Sequence, residues 1–214
     1  MSTTPDSIDP VVGWRMWSLV PARGRGVESC AWVLGSPFKR TAWRPYAPVL
    51  ATCRVCRDSP TKGCTCGVYA YLTSPFVEDA PLSLGARGPR SIALAAFLTP
   101  CVIGQVAGWG RVVHHTKGWR AAKVYPLSLA LVCVGCLAAP GLFRRADFVC
   151  SSVEGPPWAT CEAHLGAYPS GPRDDMRACD AAEAERALAS RYGVHLAEIP
   201  GRQAGFRRFG ETTR

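Results

Sequence analysis

Apolar positions along the chain recur mostly at a period of two and are broken by proline and glycine, a pattern that predicts strands rather than helices. Val11 to Val20 reads as a first strand, with Trp14, Met16 and Ser18 on one face and Arg15 and Trp17 on the other, after a polar, disordered leader over residues 1–10. A basic turn from Pro21 to Glu28, with Arg23 and Arg25, leads into a second strand of the same sheet over Cys30 to Gly35. Trp43-Arg44-Pro45-Tyr46-Ala47-Pro48 is an aromatic, proline-punctuated loop, and Val68 to Leu72 again alternates as a strand. The polar stretch from Asp79 to Arg90 reads as surface loop, and Ser91 to Leu98, alanine- and leucine-rich and stopped by Thr99-Pro100, as a short helix. Residues 102–113 predict a long strand whose glycines kink or bulge it, the device that curls a sheet into a small barrel. His114 to Gly118 is its turn and Trp119 to Tyr125 its partner, ended by Pro126. Asp174 to Tyr192, with two acids in its first turn and Gly193 as a stop, predicts a helix; Val194 to Ile199 adds an edge strand.

These elements predict an α+β chain, mainly antiparallel, with a small barrel-like β core and a C-terminal helix. Its expected organisation is a leader (1–10), a basic β-rich core (11–130), a second lobe with the helix (131–200) and a mobile basic tail (201–214). With 18 Pro and 21 Gly in 214 residues, many turns and little long helix follow. Trp14, Trp17 and Trp109 read as core; Trp43 and Tyr46 read equally as core or as exposed stacking groups.

Charge divides the chain. Residues 1–150 carry 17 Lys and Arg against 7 Asp and Glu, whereas residues 151–214 carry 8 against 9. A basic first portion attracts polyanions by counterion release, although basic domains without that role are common. Neither Ser91 to Gly110, interrupted by Pro100 and three glycines, nor Leu127 to Ala139 reads as a membrane span. The polar N-terminus does not read as a secretory signal, so a cytoplasmic protein is expected.

The cysteines carry the sharpest chemistry. Cys53 and Cys56, then Cys64 and Cys66, place four thiols within about fourteen residues, with Gly63 and Gly67 to bend the backbone. In a reducing compartment this spacing favours a closed zinc knuckle over disulfides, because two close thiol pairs can reach one ion tetrahedrally. Cys133 and Cys136, with Cys161 and His164 about 25 residues on, form a second zinc candidate in which Cys150 competes for one position. The alternative is that Cys133 and Cys136 are small buried hydrophobes. Cys30 and Cys101 read as core residues, and Cys179 as packing on the face of the C-terminal helix.

Gly13-Trp14-Arg15-Met16-Trp17, Ala51-x-Cys53, Cys64-x-Cys66-Gly67-Val68-Tyr69-Ala70, Gly104-x-Val106-x-x-Trp109-Gly110-Arg111-Val112-Val113 and Gly118-Trp119-Arg120-Ala121 through Tyr125-Pro126 form a signature over roughly residues 12–195. It resembles a group of small uncharacterised cysteine-rich proteins of actinobacteria and their phages, and that resemblance implies no activity. Such proteins often have a histidine where this chain has Cys56, an exchange a zinc ligand tolerates, so the resemblance supports Cys56 as a ligand.

Three functions are compatible with this pattern. The first is a zinc-stabilised, non-catalytic nucleic-acid-binding or regulatory protein, with Arg40, Trp43, Arg44, Tyr46, Arg54, Arg57, Lys62, Lys117 and Arg120 as contacts. The second is a zinc-stabilised adaptor for a protein partner. The third is an enzyme using His114 and His115 beside Lys117 and Arg120 as acid, base or phosphate ligands. Against it, the sequence has no Walker glycine loop, no Gly-x-Ser-x-Gly elbow and no deaminase Pro-Cys-x-x-Cys.

Overall fold

A computed structural model describes residues 7–22, 31–37, 41–73, 101–137, 144–151, 157–164 and 177–198. The basic turn with Arg23 and Arg25, Cys30, Arg40, the loop 79–90, the helix at 91–98 and the tail at 201–214 lie outside the described residues.

Strand β1 (Ser7–Pro21) runs beside β5 (Val102–His115), which is long enough to pair with β1, with β6 (Gly118–Pro126) and with the short β7 (Ser128–Leu131). Strand β4 (Val68–Tyr71) bridges β1 and β6, so the circuit β5-β1-β4-β6 closes on itself through the β5–β6 pairing. The result is a small closed barrel, extended by β2 (Trp32–Gly35) on β1 and by β3 (Val49–Leu50) on β6. All these pairings are antiparallel.

The bulge expected in the long strand is present. Register shifts between Trp109 and Val112, at Gly110 with φ +74°, a backbone region that favours glycine. Trp119 fills the interior, and two glycines make room for it. A Cβ on Gly13 would lie 2.7 Å from the Trp119 Nε1, and one on Gly108 would lie 2.4 Å from its ring. The β5–β6 turn is tighter than expected: His115 still pairs with Gly118, leaving Thr116 and Lys117 as the turn.

Beyond β7, helix α1 (Val134–Leu137) precedes a three-stranded sheet of β8 (Phe148–Ser151), β9 (Trp158–Thr160) and β10 (Arg177–Asp180). Helix α2 (Ala181–Tyr192) follows, and β11 (His195–Leu196) pairs in parallel with β7. The helix begins later than its composition suggests. Arg177–Asp180 are taken up by pairing with β8, and the Asp180 carboxylate caps the helix by accepting from the Glu183 N–H at 2.7 Å. Gly193 ends the helix with φ +62°, as expected of a glycine stop.

The buried face of α2 is Ala181, Ala184, Glu185, Leu188, Ala189 and Tyr192, the spacing of a single helical stripe. Two polar residues on that stripe tie it to the barrel. Glu185 accepts from the Leu131 N–H at 2.7 Å and from Arg145 at 2.5 Å. The Tyr192 hydroxyl donates to the Trp43 carbonyl at 2.7 Å and accepts from the Leu34 N–H at 3.0 Å.

Two sequence expectations need correction here. Ser7–Pro10, assigned to the leader, belong to β1. Trp14 and Trp109 are only half-buried, whereas Trp17, Trp32, Trp43 and Trp119 are at most 5 % exposed and form the aromatic core.

Candidate metal centres

Eight ligand atoms gather in two groups of four, Cys53, Cys56, Cys64 and Cys66 in one and Cys133, Cys136, Cys161 and His164 in the other. Within each group all four atoms lie within 4.8 Å of one another. All seven thiols are free, and the sulfur separations of 3.1 to 3.8 Å far exceed the disulfide length of about 2.05 Å. Zn–S bonds of about 2.3 Å and Zn–N bonds of about 2.0 Å give a tetrahedron S···S edges of about 3.8 Å and S···N edges of about 3.5 Å. Both groups therefore have the donor chemistry and size to hold a metal ion.

In the first group the loop between β3 and β4 folds over itself. Gly63 (φ +85°) and Gly67 (φ +118°) make its reversals. Cys53 and Cys64 approach to 3.7 Å and Cys56 and Cys66 to 3.1 Å. The Cys56 and Val55 N–H groups point at the Cys53 sulfur, 3.4 and 3.3 Å away, and hold its thiol below the usual range. The four thiols compete for negative charge: Cys56, hydrogen-bonded to the Cys66 sulfur, is pushed up to about 12. Burial opposes ionisation of Cys66, but its polar surroundings, among them the Cys56 sulfur 3.1 Å away, bring it down to about 6. A divalent cation resolves that competition by stabilising every thiolate at once.

The barrel grips this loop from outside. Arg120, 3 % exposed, donates to the carbonyls of Cys64 and Cys66, the latter at 2.7 Å, and its Nε donates to His115 Nε2 at 2.8 Å. Tyr69 donates its hydroxyl to the Thr65 carbonyl, and Arg111 donates to the Asp58 carbonyl at 3.1 Å.

The second group is built at the ends of two strands and from two short helical segments. Cys133 follows β7, Cys136 lies in α1, Cys161 follows β9, and His164 ends a single 3₁₀ turn (Glu162–His164). His164 Nδ1 lies 3.5 Å from the sulfurs of Cys133 and Cys136 and 3.3 Å from that of Cys161, and Cys136 and Cys161 are 3.8 Å apart. These lengths match the tetrahedral edges. Its three cysteines are at most 3 % exposed, whereas those of the first group are half-buried. Gly135 makes the room, since a Cβ there would lie 2.7 Å from His164 Cγ.

Cys150 is buried in β8 outside this group, whereas Cys161 lies within it. Burial raises the Cys101 thiol to about 12, as expected of an inert core cysteine. Cys179 departs from expectation: it lies in β10 rather than on the helix, and it is disulfide-bonded.

The expected nucleic-acid contacts divide three ways. Arg44, Arg54, Arg57, Lys62 and Lys117 are exposed. Trp43 (1 % exposed) and Arg120 are buried, so neither can present its side chain to a polyanion. Tyr46 is 76 % exposed but its hydroxyl donates to the Ser190 carbonyl at the end of α2. Arg40 lies outside the described residues. His114 and His115 are exposed at the hairpin, where His115 serves as acceptor for Arg120. Two outward residues were missed, Tyr69 and Tyr71. The alternation Val68-Tyr69-Ala70-Tyr71 held their signal, because Val68 and Ala70 are the members that fit inside a small barrel.

Fold and sites together define a small closed β-barrel carrying two four-donor, thiol-rich clusters. No known protein family, curated protein or solved structure matches the chain. Among the described residues no helix is long and apolar enough to cross a membrane.

Proposed function

We propose that this chain is a zinc-stabilised, non-catalytic nucleic-acid-binding protein. Zinc is the metal best suited to closed tetrahedral sets of four sulfurs, or of three sulfurs and an imidazole, which leave no open position for substrate. The carrying observation is that the first thiol cluster sits in the loop that displays Arg54, Arg57 and Lys62, all exposed, with Asp58 as that loop's sole acid. A metal there would fix three cations in one arrangement beside a barrel that also exposes Lys117 and Lys123. Free thiol clusters favour a reducing compartment, which we take to be the cytoplasm; the disulfide at Cys179 weighs against that assignment.

The adaptor reading draws support from a different feature, the exposed apolar side chains Val55 (88 %), Leu50 (58 %) and Leu72 (53 %). One experiment separates the two. Metal analysis of purified protein should give two zinc equivalents, and binding to labelled DNA and RNA should weaken steeply between 50 and about 200 mM salt. Two equivalents of zinc without polyanion affinity would favour the adaptor.

A further inference from the structure

We infer that the nucleic acid bound at this surface is single-stranded, with successive bases stacking on Tyr69 and Tyr71; this rests on the nucleic-acid reading above. Strand β4 places Val68 and Ala70 in the core and turns Tyr69 and Tyr71 outward, 45 % and 46 % exposed. Residues two apart on a strand stand about 6.7 Å apart, roughly twice the 3.4 Å advance per nucleotide along one strand of a duplex. Two such platforms suit bases splayed from one another and cannot engage bases stacked and paired in a helix. Half-buried Trp14 lies directly opposite Tyr71 in the β1–β4 register and extends the aromatic face.

Tyr69 is also pre-set for this role. Its hydroxyl is tied to the Thr65 carbonyl, between two of the candidate ligands, and the Arg120 guanidinium lies 5.6 Å from its ring centroid. Arg120 is held in turn by the carbonyls of Cys64 and Cys66. An aromatic ring fixed before binding loses little freedom on stacking, and the residues fixing it belong to the loop that carries Arg54, Arg57 and Lys62. The cations meet phosphates while the tyrosines meet bases, and metal in the first cluster holds both in register.

The test is fluorescence anisotropy with a labelled mixed-sequence 20-nucleotide single strand and the matching duplex, at several salt concentrations, on zinc-loaded protein. Tyr69→Ala and Tyr71→Ala should each weaken single-strand binding by roughly 5- to 100-fold with the salt slope unchanged, and Tyr69→Phe, which keeps the stacking ring but loses its tie to Thr65, should weaken it less than Tyr69→Ala does. Arg57→Ala should instead flatten the salt slope. Metal content and circular dichroism of each variant verify its fold. Salt-dependent binding that is equally strong for duplex and unaffected by either tyrosine variant would overturn the stacking inference and leave the nucleic-acid reading standing. Absence of binding to both strands at low salt would overturn both.

Discussion

The guanidinium of Arg120 lies 2.7 Å from the carbonyl oxygen of Cys66, and the same nitrogen reaches the carbonyl of Cys64. A strand of the barrel thereby orients the backbone on which two candidate ligands sit. Arg120→Met keeps most of the side-chain volume and removes these charged hydrogen bonds, each worth about 1.5 to 3 kcal/mol. The variant should lose about 3 kcal/mol of stability. It should also bind its first zinc ion roughly tenfold more weakly, since partners that orient ligands tune metal affinity. Chelator competition is the measurement, and an unchanged second site is the internal control.

The clusters differ in exposure, half-buried in the loop after β3 and at most 3 % exposed for the cysteines beside α1. On challenge with a chelator, one zinc equivalent should leave in a fast phase and the other in a slow one. Cys56→Ser should abolish the fast phase and leave the barrel folded. Cys161→Ser should abolish the slow phase and lower the melting temperature more. Release of both ions in one phase would contradict the assignment of roles.

Tyr192 supplies a pH test. Burial raises its phenol from 10.0 to about 12 by keeping water from the charged form, while the Leu34 N–H pulls the other way; the neutral hydroxyl donates to the Trp43 carbonyl. A folded value above the unfolded one means that this stabilisation is complete below pH 10 and is lost as pH rises through 12. Tyr192→Phe leaves the Leu34 N–H and the Trp43 carbonyl without their partner, at a cost of about 1 to 3 kcal/mol. Denaturant melts should show that deficit in full at pH 8 and a smaller one at pH 11, where the phenol of the unfolded parent ionises while the folded one stays mostly neutral.

The parts legible in the sequence are those in which local spacing carries the physics. Two close thiol pairs must share a neighbourhood, a glycine-rich long strand can bulge at Gly110, and Gly193 can stop a helix, whatever the rest of the chain does. Where tertiary pairing decides, the reading failed. Arg177–Asp180 look like a helix start but pair with β8, and Trp43, equally compatible with core or surface by its sequence, lies at the hub of Trp17, Arg15 and Tyr192. Arg120 has the composition of a surface cation, and its burial depends on two carbonyls more than fifty residues earlier.

Gly135 offers a test of the second centre that leaves every donor in place. It sits between Cys133 and Cys136, where a Cβ would lie 2.7 Å from His164 Cγ and 2.9 Å from Nδ1. Contacts that short are not tolerated, and the histidine is hemmed in by three sulfurs, so the imidazole must swing away. Gly135→Ala should therefore lower zinc content from two equivalents toward one while the first cluster keeps its fast phase. Cobalt substitution reports the cause directly: a site that loses its imidazole changes its ligand-field bands, whereas simple helix stabilisation by alanine would leave them unchanged. Retention of two tightly held ions with unaltered bands would show that His164 does not belong to the cluster.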